Sequence, residues 1–334
     1  MTVALESRSP DDRASTVVDR AKALQAFRLS DATFYWITRS CALCVLAILG
    51  GIILSLVVGA WPAIQTYGVD FLFTQRWAPN LEPQPILGAL GPVYGTLLTS
   101  AFAMIVAVPV GIGIAIFLTE FCPVLFRRPV GVAIELLAGI PSIIYGMWGF
   151  FVLAPFLADR LQPFVIATIG SWPIIGPLFS GPPSYLSIFN ASIVLAIMVL
   201  PFVTAISRDV FETVPPVLKE SAYGLGCTTW EVVKNIVIPY TRVGVIGGVM
   251  LALGRALGET MAVTFIIGNS FRISSSIFSP GTTISAAIAS EFAESGGLHQ
   301  SALIFLGLLL FVLTFIVLAA ARIMLARLRL KQGA

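Results

Sequence analysis

Hydrophobic residues run through this chain in long uninterrupted blocks rather than alternating with polar ones. A helix needs about 20 mostly apolar residues to cross the hydrocarbon layer of a membrane. Residues 40–69 carry no charge, which predicts a first span over 39–62, closing near Trp61 and Pro62. Residues 83–119 are also uncharged, and a second span is expected over 94–118. Between 130 and 158 the single charge is Glu135, giving a third span over 130–157. Residues 161–207 are uncharged but not uniform. Gly170, Pro173, Gly176, Pro177, Gly181, Pro182 and Pro183 break its first part, so only 188–207 reads as a fourth span. The fifth, over 243–268, holds Arg255 and Glu259, and the sixth covers 301–321. Residues 273–290 are uncharged but rich in Ser and Thr, and read as loop.

Composition supports a lipid solvent. The 334 residues are 57% hydrophobic and 11% charged, against about 25% charged in an ordinary soluble domain. The expected class is an all-α integral membrane protein with six transmembrane helices. Its parts would be an N-terminal arm over 1–38, a first helix, an extracytoplasmic loop over 63–90, a permease-like core over 91–325 and a tail over 326–334.

The positions of Lys and Arg test the count, because these residues concentrate in cytoplasmic loops. With six spans and a cytoplasmic N-terminus, 16 of the 20 basic residues fall on the cytoplasmic side, including the C-terminus. Arg76, Arg160 and Arg272 fall outside, and Arg255 is left within a span. A seventh span at 163–179 would put the basic 208–242 loop and the basic tail on the wrong side. The reading is a multi-pass protein of the cytoplasmic (inner) membrane. The first 39 residues are charged and no small-residue cleavage site follows the first span, so that helix is expected to be retained. Val17, Val18, Ala21, Leu24 and Phe27 suit either a short helix on the membrane surface or an arm without fixed structure.

The 208–242 loop is heavily punctuated. Thr213 has the place of a cap for a helix started by Pro215 and Pro216, and Gly224 or Gly226 would stop it. Thr228 followed by Glu231 has capping-box spacing for a second helix, which Pro239 is expected to end. Two short helices around a glycine corner result.

Arg255 and Glu259 stand at i and i+4, a spacing that places both on one face of a continuous helix. An ionisable side chain at mid-bilayer costs about 2.5–3.5 kcal/mol or more, which makes such residues functional candidates. Arg255 is read as offering guanidinium donors to a passing oxyanion, with Glu259 orienting it. Gly244 with Gly248, and Gly254 with Gly258, have the G-x-x-x-G spacing of close helix packing. Glu135 is read as reaching headgroup water. Gly139, Pro141 and Gly146 should bend the third span.

Other chemistry is sparse. Cys41 and Cys44 form a C-x-x-C inside an apolar run, where small helix-face residues fit better than redox or metal chemistry. The single histidine, His299, reads as part of a polar loop, and no Cys/His cluster has metal-ligand spacing. The chain has no G-x-x-x-x-G-K-[ST] phosphate loop. It is therefore read as a non-enzymatic subunit, and a channel or secondary transporter would leave the 208–242 loop unexplained.

The loop carries a resemblance. Glu220-Ser221-Ala222, then Gly226, Ile236, Ile238 and Pro239 resemble the E-A-A-x3-G-x9-I-x-L-P motif of ABC importer permeases. Ser221 and Ile238 are its two conservative departures. In that family the first helix of the motif couples to an ATPase, so Glu220, Ser221, Ala222, Gly226, Ile236 and Pro239 are expected to form the coupling element. The stretches Ser207 to Gly226, Pro239-Tyr-Thr-Arg, Gly254-Arg-Ala-Leu-Gly-Glu-Thr-Met-Ala-Val and Glu135-Leu-Leu-Ala-Gly-Ile-Pro-Ser-Ile closely resemble the PstC family of phosphate ABC importer permeases. The likeness runs from about Gly91 onward. It implies the type I ABC importer permease (MetI-like) fold and places Arg255 and Glu259 on the substrate path. It also implies a sister permease resembling PstA, an ATPase dimer resembling PstB and an extracytoplasmic phosphate-binding protein resembling PstS. ATP and Mg would bind the ATPase and no cofactor this chain. Another oxyanion, sulfate or molybdate, is the alternative substrate.

Overall fold

A computed structural model describes residues 10–331, apart from 82–84 and 174. The described residues form helices joined by loops, with one isolated bridge between Ala78 and Ile86. Six helices are long and apolar enough to cross a membrane. The chain divides into two units, 1–58 and 59–334. The described part of the first unit is helical and belongs to α1 (Pro10–Tyr67). The backbone over 17–27 is thus helix, continuous with the first span, and α1 passes through Pro62 rather than closing there.

In the second unit the passage at Pro62 has a visible cause. Ser301 Oγ donates to Gly59 O at 2.8 Å and accepts from Ala63 N at 3.1 Å, standing in the helical ladder where a direct bond would otherwise form. Around this wedge Ala63, Phe71, Leu87, Ile284, Leu303 and Leu306 form a buried cluster, with Phe71 stacked on Phe305 at 4.6 Å.

The helices of the second unit that follow, short single turns such as Asp70–Phe73 aside, are α2 (Leu90–Phe121), α3 (Val124–Ala138), α4 (Ser142–Ile169), α5 (Ile188–Glu212), α6 (Pro216–Gly224), α7 (Thr229–Leu257), α8 (Met261–Ile267), α9 (Ile284–Glu291) and α10 (Gly297–Lys331). Their main core is built from small and branched residues. Ala103 and Ala107 of α2, Ala191 and Val199 of α5, Ala252 and Ala256 of α7, and Val263 of α8 are all buried in it. In lipid, helices gain little from excluding water and associate instead through close van der Waals contact, which alanine permits.

Three expectations change. The third span is not a helix over 130–157, because the chain breaks at Gly139–Pro141 and the span is α4. Proline disfavours helical backbone at the residue before it, so Gly139, Ile140 and Pro141 end one helix and start another rather than bending one. Tyr145 Oη donates across the break to Leu137 O at 2.9 Å. Glu135 consequently sits in the separate helix α3, and its carboxylate meets Arg208. The second change is that part of the expected 273–290 loop is helical, as α9, with Thr283 Oγ1 accepting from Ala286 N at its start. Third, the fifth span does not run through 243–268: α7 ends at Leu257 and α8 begins at Met261.

Candidate functional site

The 208–242 loop has the two-helix form its punctuation predicts, with two local corrections. Thr213 does not cap α6; its hydroxyl donates to Val210 O at 2.7 Å, closing the end of α5, and Pro215 occupies the cap position. Beyond α6 the chain turns through Gly226 at φ +88°, a conformation that costs side-chain-bearing residues free energy. Thr228 then makes the full capping box with Glu231, its N–H donating to Glu231 Oε2 at 2.8 Å and its Oγ1 accepting from Glu231 N at 3.4 Å. Pro239 does not end the second helix. The chain passes through it because the turn before it, Val233–Val237, is π-helical, a wider winding that accommodates a residue lacking an N–H.

The motif residues divide by role. Ala222 is buried with Ala115 of α2, Phe211, Val214, Val232 and Val237, and Ile236 packs against the same cluster. Pro239 is exposed in the turn that enters the span. Glu220 and Ser221 are exposed, and the Ser221 hydroxyl donates back to Val217 O. The outer face is apolar as well as charged. Val217 is 68%, Leu225 87% and Trp230 60% exposed, and Leu218 and Tyr223 lie beside them in the chain. Large apolar side chains left exposed at a charged corner are the ordinary mark of a protein-docking surface.

Arg255 and Glu259 are close in the chain but do not share a helix face. Arg255 is in the last turn of α7 and exposed, with its guanidinium carbon 5.9 Å from the centre of the Phe202 ring on α5. Glu259 lies in the unwound Gly258–Thr260 segment. Its carbonyl accepts from Ser285 Oγ at 2.8 Å, and its carboxylate accepts from Ala262 N at 3.4 Å, at the start of α8. Among the described residues no ion pair joins Glu259 to Arg255. The expected orientation of Arg255 by Glu259 is therefore replaced by a carboxylate turned toward backbone N–H, beside a guanidinium over an aromatic ring.

Glycine packing is real on one half of this helix. A Cβ on Gly244 would stand 2.7 Å from Val210 Cγ1, and one on Gly248 2.5 Å from Ile206 Cγ2, so both glycines admit α5. Gly254 has only ordinary contact with Leu318, and Gly258 has open space apart from its own helix. The second pair marks the end of the helix, not a crossing.

A sequence profile described as "Binding-protein-dependent transport system inner membrane component" matches residues 107–330. This interval includes the 208–242 loop, Arg255 and Glu259. The chain belongs to this family of transport permeases. It is 58% identical over 316 residues to the phosphate transport system permease protein PstC of Mesorhizobium japonicum, covering 94% of this chain and 96% of that one. It is 53% identical to the PstC of Pasteurella multocida (89% and 92% covered) and 51% identical to that of Haemophilus influenzae (91% and 95%). In fold it resembles a permease chain of a bacterial alginate ABC transporter, with TM-score 0.60, 17% identity, and 90% and 97% of the two chains covered. Such permeases are multi-pass membrane subunits, and a separate ATPase hydrolyses the ATP. The family also implies an extracytoplasmic substrate-binding protein as partner.

The permease holds three polar clusters that spacing did not reveal. Arg208 Nη2, at the end of α5, is 2.7 Å from Glu135 Oε1 on α3 and 3.0 Å from Asp209 Oδ1. Lys219 Nζ, on α6, is 2.6 Å from Glu120 Oε1 at the end of α2. His299, which lies in the first turn of α10 and not in a loop, has its Nε2 2.9 Å from Glu291 Oε2, which also accepts from Trp77 Nε1 at 2.8 Å. The Arg208–Glu135, Lys219–Glu120 and Trp77–Glu291 contacts join residues distant in sequence and leave no local cue, while His299 and Glu291 stand eight positions apart.

Proposed function

We propose that this chain is the permease subunit of an ATP-driven, binding-protein-dependent importer of inorganic phosphate. Both termini and the 213–239 loop would lie on the cytoplasmic side, where the loop seats the ATPase. The observation that carries this reading is the docking loop: a glycine-cornered helix pair whose inner face is packed on α2 and α5 while Val217, Leu225, Trp230 and Glu220 stay exposed. The distribution of basic residues supports the sidedness. The relatives named as phosphate permeases support the substrate.

Arg255 and Glu259 are assigned to the anion path. Unwound backbone at membrane depth is tolerated only inside protein or along a cavity, and discontinuous helices recur at substrate sites of transporters. The Gly258–Thr260 break sets an exposed guanidinium beside such backbone. The sister permease, ATPase dimer and phosphate-binding protein are the partners of the assembly, and ATP with Mg belongs to the ATPase.

Uptake of labelled phosphate into vesicles holding the reconstituted complex tests the proposal, with sulfate and molybdate as competitors. ATP-dependent uptake that needs the binding protein and is displaced only by phosphate is expected. ATP-independent uptake, or displacement by sulfate at equal concentration, would refute it.

A further inference from the structure

Lys219 and Glu120 form a buried contact that neither the docking motif nor the anion path uses. Lys219 Nζ is 2.6 Å from Glu120 Oε1, with the Glu120 side chain 5% and the Lys219 side chain 20% exposed, so the pair is largely withdrawn from solvent. Lys219 immediately precedes Glu220 on α6, but it turns inward while Glu220 stays exposed. Glu120 sits where α2 ends, in the π-helical turn Phe117–Phe121. The π-turn matters to its direction. In an unbroken α-helix Glu120 would stand nine residues, about two and a half turns, beyond Gly111. That would aim it away from the buried stripe of Ala103, Ala107, Gly111 and Ala115. The wider winding of i→i+5 bonding brings the carboxylate round toward α6.

Surroundings strengthen the contact. Ala115 of α2 and Ala222 of α6 lie in one apolar cluster beside the pair, and Arg127 Nη2 donates to Thr119 O at 2.7 Å, fastening the same turn. A buried ion pair is seldom more stabilising than apolar side chains of the same size, but it fixes orientation, because removing either partner strands a charge. A pair that adds little stability yet joins the docking helix to one end of a span is suited to transmitting displacement.

We propose that Glu120 and Lys219 form a strut that couples movement of α6 to α2, so that force delivered at the docking helix reaches the span packed against α5. These are positioning residues: they pair with each other, while Glu220 and Val217 make up the exposed side of α6. The proposal rests on the reading of the 213–239 loop as an ATPase dock.

The test measures phosphate taken up per ATP hydrolysed in vesicles holding the assembled complex, for wild type, Glu120→Gln, Lys219→Glu with Glu120→Lys (the exchanged pair), and Glu120→Leu with Lys219→Leu. Assembly with the ATPase is measured alongside. Glu120→Gln is expected to lower the ratio at least about fivefold, and the exchanged pair to recover it to within about twofold. The leucine pair keeps the site filled without charge, so it is expected to assemble normally and still show the lowered ratio. A wild-type ratio in the assembled leucine pair overturns the strut, whatever Glu120→Gln does. Failure of the wild-type complex to recruit an ATPase or couple uptake to it would instead refute the docking reading, so the two failures are distinguishable.

Discussion

Arg208 Nη2 sits 2.7 Å from Glu135 Oε1, binding the end of α5 to a helix 73 positions earlier in the chain. The guanidinium is only 20% exposed and also faces Asp209 at 3.0 Å and Glu212 at 4.0 Å. Gly131, one turn before Glu135, leaves it room, since a Cβ there would lie 2.6 Å from Arg208 Nη1. Removing either side of the contact has unequal consequences. Glu135→Ala leaves Arg208 with two carboxylates, and because Glu135 is half exposed the loss should be about 1 kcal/mol or less. Arg208→Ala leaves three carboxylates facing one another and should cost more. Thermal unfolding of the purified protein in detergent is expected to order the midpoints as wild type, Glu135→Ala, then Arg208→Ala. The reverse order would mean that Arg208 is held for another reason.

The corner of the loop proposed to seat the ATPase makes a separate prediction. Gly226 has φ +88°, while a Cβ there would meet nothing within 4 Å. Strain, not crowding, sets the cost of substitution. Gly226→Val is expected to lose about 1–3 kcal/mol and much of the ATPase recruitment. Gly226→Asn should retain most of it, because Asn tolerates the left-handed region better than other side chains. Co-purification of the ATPase with each variant measures the difference, and equal recruitment by Val and Asn would contradict the strain account.

Two adjacent glycines of α7 separate packing from propensity. Gly248→Ala puts a methyl 2.5 Å from Ile206 Cγ2, whereas Gly247→Ala meets nothing within 4 Å. Overpacking of a close contact typically costs about 1–3 kcal/mol, and an unhindered helical Gly→Ala gains up to about 1 kcal/mol. The expected result is a lower unfolding midpoint for Gly248→Ala and an equal or higher one for Gly247→Ala. Identical midpoints would show that α5 gives way at Ile206.

How much of this was legible in the chain depends on how local each cause is. The spans could be read because a run such as 40–69 has to be uncharged for a membrane to accept it. The Thr228–Glu231 box was legible because both partners lie within one turn. The break after Leu257 was not. Gly258 sits in the same G-x-x-x-G spacing as Gly248, and nothing within the run tells a packing glycine from a terminating one. What holds Glu259 out of helix includes the Ser285 hydroxyl, 26 positions later. The proline cues also pointed both ways: Pro141 divides helices while Pro239, which follows a π-turn, and Pro62, where Ser301 stands in the ladder, are passed through. The Glu120–Lys219 contact, spanning 99 positions, leaves no local trace.

The broken helix changes what substitution of Arg255 and Glu259, on the proposed anion path, should do. Were Arg255 and Glu259 one pair, neutralising either would strand the other and both variants would resemble each other. They make different contacts, so the effects should part. Arg255→Gln removes the guanidinium but leaves the end of α7 and the docking loop in place. Phosphate uptake by the assembled complex should fall at least about tenfold, equivalent to about 1.4 kcal/mol or more, with ATPase recruitment unchanged. Arg255→Lys should fall between, because an ammonium keeps the charge but not the planar fork of donors suited to an oxyanion. Glu259→Gln keeps an oxygen to accept from Ala262 N–H, so α8 should still start at Met261 and the unfolding midpoint should hold. Its uptake then reports the loss of negative charge alone: less repulsion of the anion should tighten binding and slow release. Single-turnover measurements separate the two, with binding weakened in Arg255→Gln and release slowed in Glu259→Gln. If both variants weaken binding alike, the two residues act as a unit despite the break, and the separation drawn from their contacts is wrong.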